Sequence, residues 1–580
     1  MSAPGRYFRT LVRLRPRQVF TRLARAVTSP RVRTGPAPEP RSPGGVLVEP
    51  VARSDGWLSP YRVRLLNVER ELLAPPDGPS YGVATREAPP AIDWSPAGAD
   101  RLWVYTLHYF ADLPTTRLTA EAAAALVDSW IGSNPPGTRD AWDPYPVSLR
   151  VVAWVKWLLR GPASAREAPG AATGAAGANL PSARVLDSLA TQLRFLERRL
   201  EFDIGANHLM ANAVALTVGG LFFGGPEGDR WIEKGFRLLG RQLEEQVGGD
   251  GGHYERSPMY HAVVLEQLLD VLNVWSLLPD AIPTGRRDRR EALETTVLSM
   301  FDWLTAMTHP DGGVSFFNDS VSGAAPSLAD LIDYARRLGL HPGSAVFARI
   351  TRLEDSSFFR LMSDDDRTVV LLDAGGPQPD HQPGHAHSEA LSLELSRDGR
   401  RVFVNSGVST YAPGPERRWQ RQTAAHNTVR IDSAEQSELW ASHRCGRRAR
   451  TRDVGVRGRC AHASHDGYRF LEGRPVHRRE VCVSDEAVEI VDKITGDGEH
   501  LLEWFFHLHP DITARALDRG VELLLDGRPL ATVVFPFGAI AGVSPGAWHP
   551  EFGLSTPNTL LHVALSASLP FESNVTLRWL

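Results

Sequence analysis

Residues 391–404 read LSLELSRDGRRVFV, and this stretch decides the fold. Leu391, Leu393 and Leu395 alternate with Ser392 and Glu394, the period of a strand with one buried face. Asp398-Gly399 follows, a pair that accepts the positive φ angles of a two-residue hairpin turn. Residues 401–404 then return to a strand-like run. The same pattern recurs at 369–372, 481–483 and 488–491, and a second Asp-Gly turn stands at 526–527. The part of the chain after about residue 350 is therefore expected to be an antiparallel β-sandwich or a related all-β domain.

Upstream the period is helical. Apolar positions recur at helical spacing over 119–130, 146–159, 183–200, 207–223, 258–278 and 289–307, with Gly, Pro and Asp clusters between them. The Ala- and Gly-dominated stretch 161–177 reads as a loop insertion. Helices first and strands second argue for separate domains rather than a parallel α/β enzyme. The expected division is a basic arm and Pro-rich linker over 1–50, a helical domain over 51–345 and a β-domain over 346–580. Helix pairs of this kind stack into a bundle, a solenoid or a closed toroid, and periodicity does not choose among them. Neither a phosphate-cradling Gly-rich loop nor a GxSxG nucleophile elbow is present.

The 580 residues are 42% hydrophobic and 23% charged, and the formal net charge is −4. No global basic field recruits nucleic acid, so attraction for an acidic ligand must be local to a cleft. Fifteen tryptophans suit sugar rings, although about two thirds are expected in the core. The three cysteines, Cys445, Cys460 and Cys482, are odd in number, and their spacing suggests neither a zinc ribbon nor a disulfide framework. Residues 1–29 carry arginine and no acid, and Arg9, Arg13, Arg15, Arg17, Arg22 and Arg25 interrupt every apolar run. They leave no signal-peptide core, and a cytoplasmic location is expected. Leu11, Leu14, Val19, Phe20, Leu23 and Val27 line one side of a basic helix that would suit peripheral membrane contact; a short packing arm is the plainer reading.

Four segments combine polar side chains in ways a plain core does not favour. Asn207-His208 opens a strongly apolar helix, where Asn207 would either cap the helix or face the mouth of a bundle. In the second, 250–261, Ser257 suits an N-cap and Pro258 the first helical position, which sets Tyr260 in the first turn beside Tyr254 and Glu255. In the third, His385 and His387 share one face of an extended segment, a common beginning for a metal site or an acid/base pair. In the fourth, 417–428, three arginines flank Trp419; Arg418, Trp419 and Arg421 would suit a sugar carboxylate plus stacking.

Asn207-His208, Ser257-Pro258-Met259-Tyr260-His261, His385-Ala386-His387, Phe403-Val404-Asn405-Ser406-Gly407 and Ala425-His426-Asn427-Thr428 occur in the order found in heparinase II/III and oligoalginate lyases. The chain resembles that family over roughly residues 100 to 560. The resemblance implies an α + β multidomain fold, an incomplete (α/α) toroid followed by an antiparallel β-sandwich. It also implies β-elimination on a uronic-acid-containing polysaccharide. By resemblance Asn207 binds the substrate carboxylate with His208 and His385 nearby, and Tyr260 is the principal acid. Either Tyr260 itself or one of His385 and His208 is the base. Tyr254 and Tyr411 are candidates for substrate contact. The family's zinc site maps to His387, Asn405 and His426, where Asp is common in place of Asn405; a neutral amide is a weaker ligand. Glu389 stands where many relatives have Asp.

A glycoside hydrolase is the alternative enzyme. It needs paired carboxylates, for which Asp143, Asp250 and Glu255 are the candidates. A non-catalytic glycan-binding protein is the other alternative. Expected partners are an acidic polysaccharide or oligosaccharide, no nucleic acid, and a second copy of the chain as in many relatives. A location inside the cell would suit trimming of a nascent exopolysaccharide.

Overall fold

The computed structural model describes residues 3–28, 32–53, 55–59, 61–73, 91–115, 118–160, 182–282, 288–343, 346–535 and 542–580. The 161–177 insertion lies outside them. All six expected helices form, as Ala120–Ser133, Pro144–Leu159, Ala183–Arg198, Ala206–Phe222, Pro258–Leu277 and Asp288–Ala306. Ala206–Phe222 and Pro258–Leu277 are buried almost all round, as their unbroken apolar composition requires. A further helix, Gly225–Gln246, lies antiparallel to the first of these at very short range. A Cβ on Gly220 would come within 2.4 Å of the Ile232 backbone nitrogen, and one on Gly235 within 2.6 Å of Thr217. Glycine at these crossing points lets the two helix backbones touch.

A three-stranded antiparallel sheet over Gly56–Ser59, Arg62–Leu65 and Val68–Glu71 precedes the helices and was not expected. Trp57, Val63 and Leu65 sink into the same core as the helices, so it behaves as a lid on that core. Ten of the fifteen tryptophans are buried, most of them in this region.

From Ile350 onward the regular structure is antiparallel sheet with short helical turns. Five strands pair in chain order from Ile350–Leu353 to Arg400–Phe403, and sheets of eight and four strands follow. The quoted stretch forms the hairpin Leu393–Arg397/Arg400–Phe403, with Arg397 opposite Arg400. Asp398 and Gly399 take φ of 52° and 76°, as the turn demands. Asp526-Gly527 turns the hairpin Gly520–Leu525/Arg528–Val534 in the same way. Inward residues of all three sheets share one core, among them Leu361, Leu393, Val481, Ile490, Leu502 and Leu561.

The cysteines differ from expectation. Cys460 and Cys482 face each other on adjacent antiparallel strands and form a disulfide, while Cys445 is free and buried. Strand register brings the pair together across 22 residues, which spacing alone does not reveal. Among the described residues no helix is long and apolar enough to cross a membrane.

Candidate active site

A cleft of about 1010 Å³ opens between the helical region and loops of the sheet region. Its floor is built from the openings of two helices. Gly205, at φ 74° and ψ −149°, N-caps Ala206–Phe222 in a conformation that favours glycine, and Ala206 follows at φ 51°. This kink leaves Asn207 in the first turn with its side chain unused for capping. Its Nδ2 donates to Glu255 Oε2 at 2.7 Å and lies 3.4 Å from His385 Nε2. Its Oδ1 is buried without a hydrogen-bond partner.

The second opening is as expected. Ser257 caps Pro258–Leu277 by accepting from the Tyr260 backbone N–H, with Pro258 at the first position; such a cap is worth about 1 kcal/mol. Tyr260 therefore leaves the helix end toward the cleft. Its hydroxyl meets that of Tyr411 at 3.2 Å, and its ring lies against His385 at 3.9 Å between centroids. Burial, then the neighbouring Tyr411, pushes the Tyr260 phenol well above its ordinary value. Arg256 and Asn318, both at positive φ, flank Glu255, Ser257 and Asp319. Left-handed non-glycine residues are costly and gather where surrounding structure holds a site in place.

Asp319 organises the far wall and was missed in the sequence. It is fully buried, accepts from His385 Nδ1 at 2.9 Å and His387 Nε2 at 2.8 Å, and is clamped by both Nη groups of Arg417. Burial alone would raise its pKa, but Arg417 and the two imidazoles drive it well below the carboxylate range. With Nδ1 committed to Asp319, Nε2 is the ring nitrogen that His385 turns toward the cleft and Asn207. The polar run Asn318-Asp319-Ser320 after Phe316-Phe317 was the available signal, since buried polar residues need partners. Glu201 was also missed. It lies 3.1 Å from His208 Nδ1; burial disfavours charge on that imidazole, but Glu201 with Glu255 and Asp203 outweighs it, and the His208 pKa is raised.

The structure thus gathers Asn207, His208, Tyr260, His385 and Tyr411 around one cleft. It leaves four expected substrate contacts out of the cleft lining. Arg418 is exposed on the outer side of the short helix Pro415–Gln420, and Trp419 faces His507 and His549. Arg421 is buried and spends its guanidinium on the carbonyls of Ala386, Ala441 and Ser442. Tyr254 packs on His381 behind the wall. A helical turn over 415–420 rotates Arg417, rather than its neighbours, toward the centre. The hydrolase candidates are each engaged by other groups. Asp250 binds Gly252 and Ser356, Asp143 binds Tyr105 and Arg101, and Glu255 serves Asn207.

Behind His385, the expected metal set changes composition. His387, Glu389 and His426 bring one donor atom each to within 4.8 Å of one another, all buried. Asn405 instead accepts from Ser392 Oγ at 2.8 Å and turns its Nδ2 toward Glu389. Glu389 thus offers a carboxylate beside the two imidazoles, with Asn405 next to it. His387 Nδ1 and His426 Nε2 have no hydrogen-bond partner, His426 Nδ1 lies 3.3 Å from Glu389 Oε2 without hydrogen-bond geometry, and burial followed by Asp373 raises Glu389 well above its ordinary value. Unpartnered imidazole nitrogens beside a buried carboxylate fit a cation such as zinc. The His387–Asp319 bond would supply the carboxylate that usually orients a metal-binding imidazole. Asp319, His385 and His443 also place donors within 4.8 Å, but Arg417 already occupies both Asp319 oxygens, so a cation there would displace a guanidinium.

Comparison with known proteins agrees with this layout. The family models Heparinase II/III N-terminus and Heparinase II/III-like, C-terminal match residues 183–347 and 348–579. The chain belongs to the heparinase II/III family. It is 26% identical over 249 residues to a heparin-sulfate lyase of Pedobacter heparinus, covering 39% of this chain and 36% of the relative. The chain thus spans about a third of the length of that curated relative. It is also 26% identical over 478 residues to FtsZ-localized protein C of Caulobacter vibrioides, covering 74% and 73%. The crystal structure of heparinase III shares its fold, with a TM-score of 0.65 at 18% identity over 84% of this chain and 79% of the other.

Proposed function

We propose that the protein is a lyase that cleaves a uronic-acid-containing polysaccharide by β-elimination, on a helical region arranged as an incomplete toroid. The observation that carries this is the Tyr260 phenol lying against His385, whose Nδ1 is fixed on Asp319. Abstraction of the C5 proton is hard because the carbanion forms beside a carboxylate. The Asn207 amide and a cationic His208 would hold that carboxylate and stabilise the added charge. His385 Nε2 would take the C5 proton, and its electron pair would form the C4–C5 double bond as the C4–O4 bond breaks. The Tyr260 hydroxyl would give its proton to the departing oxygen, a role its raised pKa favours over that of base. Proton return from His385 to Tyr260 would reset the site.

The reading is tested by following the near-ultraviolet absorbance of the unsaturated product over a panel of heparan sulfate, chondroitin, hyaluronan, alginate and polyglucuronate. A rise with one polymer, reduced about 10³-fold in Tyr260→Phe, is expected. A rise that survives Tyr260→Phe unchanged would remove Tyr260 from the reaction, and no rise with any uronide would favour a binding role.

We further propose that His387, Glu389 and His426 hold one structural zinc. Bound zinc would neutralise Glu389 and tie the segments behind His385, leaving the proton transfers to the side chains. Elemental analysis should find zinc in wild type and Asn405→Ala and lose it in Glu389→Gln; equal zinc in all three would contradict the assignment.

A further inference from the structure

The N-terminal arm forms two consecutive amphipathic helices, Ala3–Leu11 and Pro16–Val27, laid on the body of the protein. Their orientation is the reverse of a solvent-facing arm. Several of its arginines reach back to the body and clamp the arm down. Arg9 binds Glu438 at 2.7 Å, Arg25 binds Asp203 at 2.9 Å, Arg15 pairs with Glu245, and Arg17 lies 3.3 Å over the Phe202 ring. The apolar face points outward, with Phe8 69%, Phe20 72%, Leu23 64% and Val27 83% exposed. Leu14, expected on this face, turns inward to the cleft. A stripe of large apolar side chains facing water on an arm held by ion pairs is costly unless something apolar covers it.

The surface beside the stripe indicates what covers it. Thr21, Ala24 and Thr28, one position round the helix from Phe20, Leu23 and Val27, form one edge of a groove whose other walls carry Arg198, Arg199, Lys234, Arg237 and Arg241. Its one carboxylate, Glu197, is already engaged by Arg230. Arg198, Arg237 and Arg241 have no carboxylate partner among the described residues. Apolar side chains flanked by unneutralised cations are what an anionic bilayer surface recognises, because the chains enter the acyl boundary while the cations meet lipid phosphates.

We propose that this face docks the protein on an anionic lipid membrane as a peripheral contact. The proposal does not rest on the lyase reaction, since none of Phe20, Leu23, Arg237 and Arg241 lines the catalytic cleft. It is tested by flotation of the full chain with vesicles of phosphatidylcholine alone or mixed with phosphatidylglycerol. Expected are flotation with the mixed vesicles, weakening as salt is raised, and at least tenfold weaker binding to phosphatidylcholine alone. The double variants Phe20→Ser/Leu23→Ser and Arg237→Glu/Arg241→Glu should each lower binding at least tenfold with an unchanged thermal midpoint. Absence of flotation with wild type, as a protein partner on this face would give, overturns the proposal, and so does binding that both variants retain. If either variant fails to fold, the lipid and salt dependence of wild type decides.

Discussion

Asp319 at the cleft and Asp492 in the β-core are built from the same parts, and their difference shows what makes a site. Each is a fully buried carboxylate gripped by an arginine fork and an imidazole. Asp492 accepts from Arg479 Nε at 2.7 Å and Nη2 at 2.9 Å, from His477 Nε2 at 2.7 Å and from Trp504 at 3.0 Å. Burial would raise both pKa values, and in each the arginine and histidine partners win and drive it down. At Asp492 the chain of contacts closes on itself: His477 meets His465 at 3.2 Å, and His465 accepts from the Gly467 N–H. At Asp319 it stays open, because His385 turns Nε2 into a cleft beside Asn207 and Tyr260. A perturbed pKa therefore marks both regions, and only access to substrate separates catalysis from scaffolding.

Removing either carboxylate is the strongest way to break this comparison. Asp319→Asn and Asp492→Asn should each destabilise by about 3–5 kcal/mol, because each strands a buried arginine. Only Asp319→Asn should also lower kcat per folded molecule, by about 10²-fold, since it frees the His385 ring to adopt the wrong tautomer. Urea unfolding together with kinetics on the folded fraction checks both halves. An equal loss of kcat in Asp492→Asn would erase the distinction.

Acid should expose the closed centre next. Burial, then His477, holds His465 well below its ordinary value. A base whose folded pKa lies below its unfolded value near 6.5 binds fewer protons when folded. Its stabilisation is complete above about pH 6.5 and is lost as pH falls toward the folded value. From pH 7 to 5 this one group should remove about 2 kcal/mol, read as a lower urea midpoint. A midpoint unchanged over that range would contradict the closed, neutral histidine pair.

The smallest effect sharpens the edge of the site. Arg418→Ala should change KM less than twofold and stability by less than about 0.5 kcal/mol, as befits an exposed side chain outside the cleft. A large rise in KM would return Arg418 to the substrate.

Much of this was legible in the residues, and the rest failed for identifiable reasons. Period, turn chemistry and capping act locally, so the hairpin at Asp398-Gly399 and the Ser257-Pro258 helix start could be read directly. Tyr260, His385 and Asn207 were marked by motifs, and the structure brings them together. Asp319 stands in an irregular loop whose partners, Arg417 and the two histidines, come from 66 to 98 residues away. Such pairings are set by tertiary packing and leave no period. The approach of Glu389 to His387 and His426 is hidden for the same reason, as is the strand register that joins Cys460 to Cys482. Arg418 and Arg421 fall outside the cleft lining because a charged run does not say which of its members a short helix turns inward.

The most direct measurement of the central claim is the mass balance of cleavage on an oligosaccharide of whichever uronide is accepted. Elimination through His385 and Tyr260 adds no atoms, so the two fragments should sum to the mass of the parent, with one carrying the double bond. Fragments that sum to the parent plus one water would show hydrolysis and contradict the account.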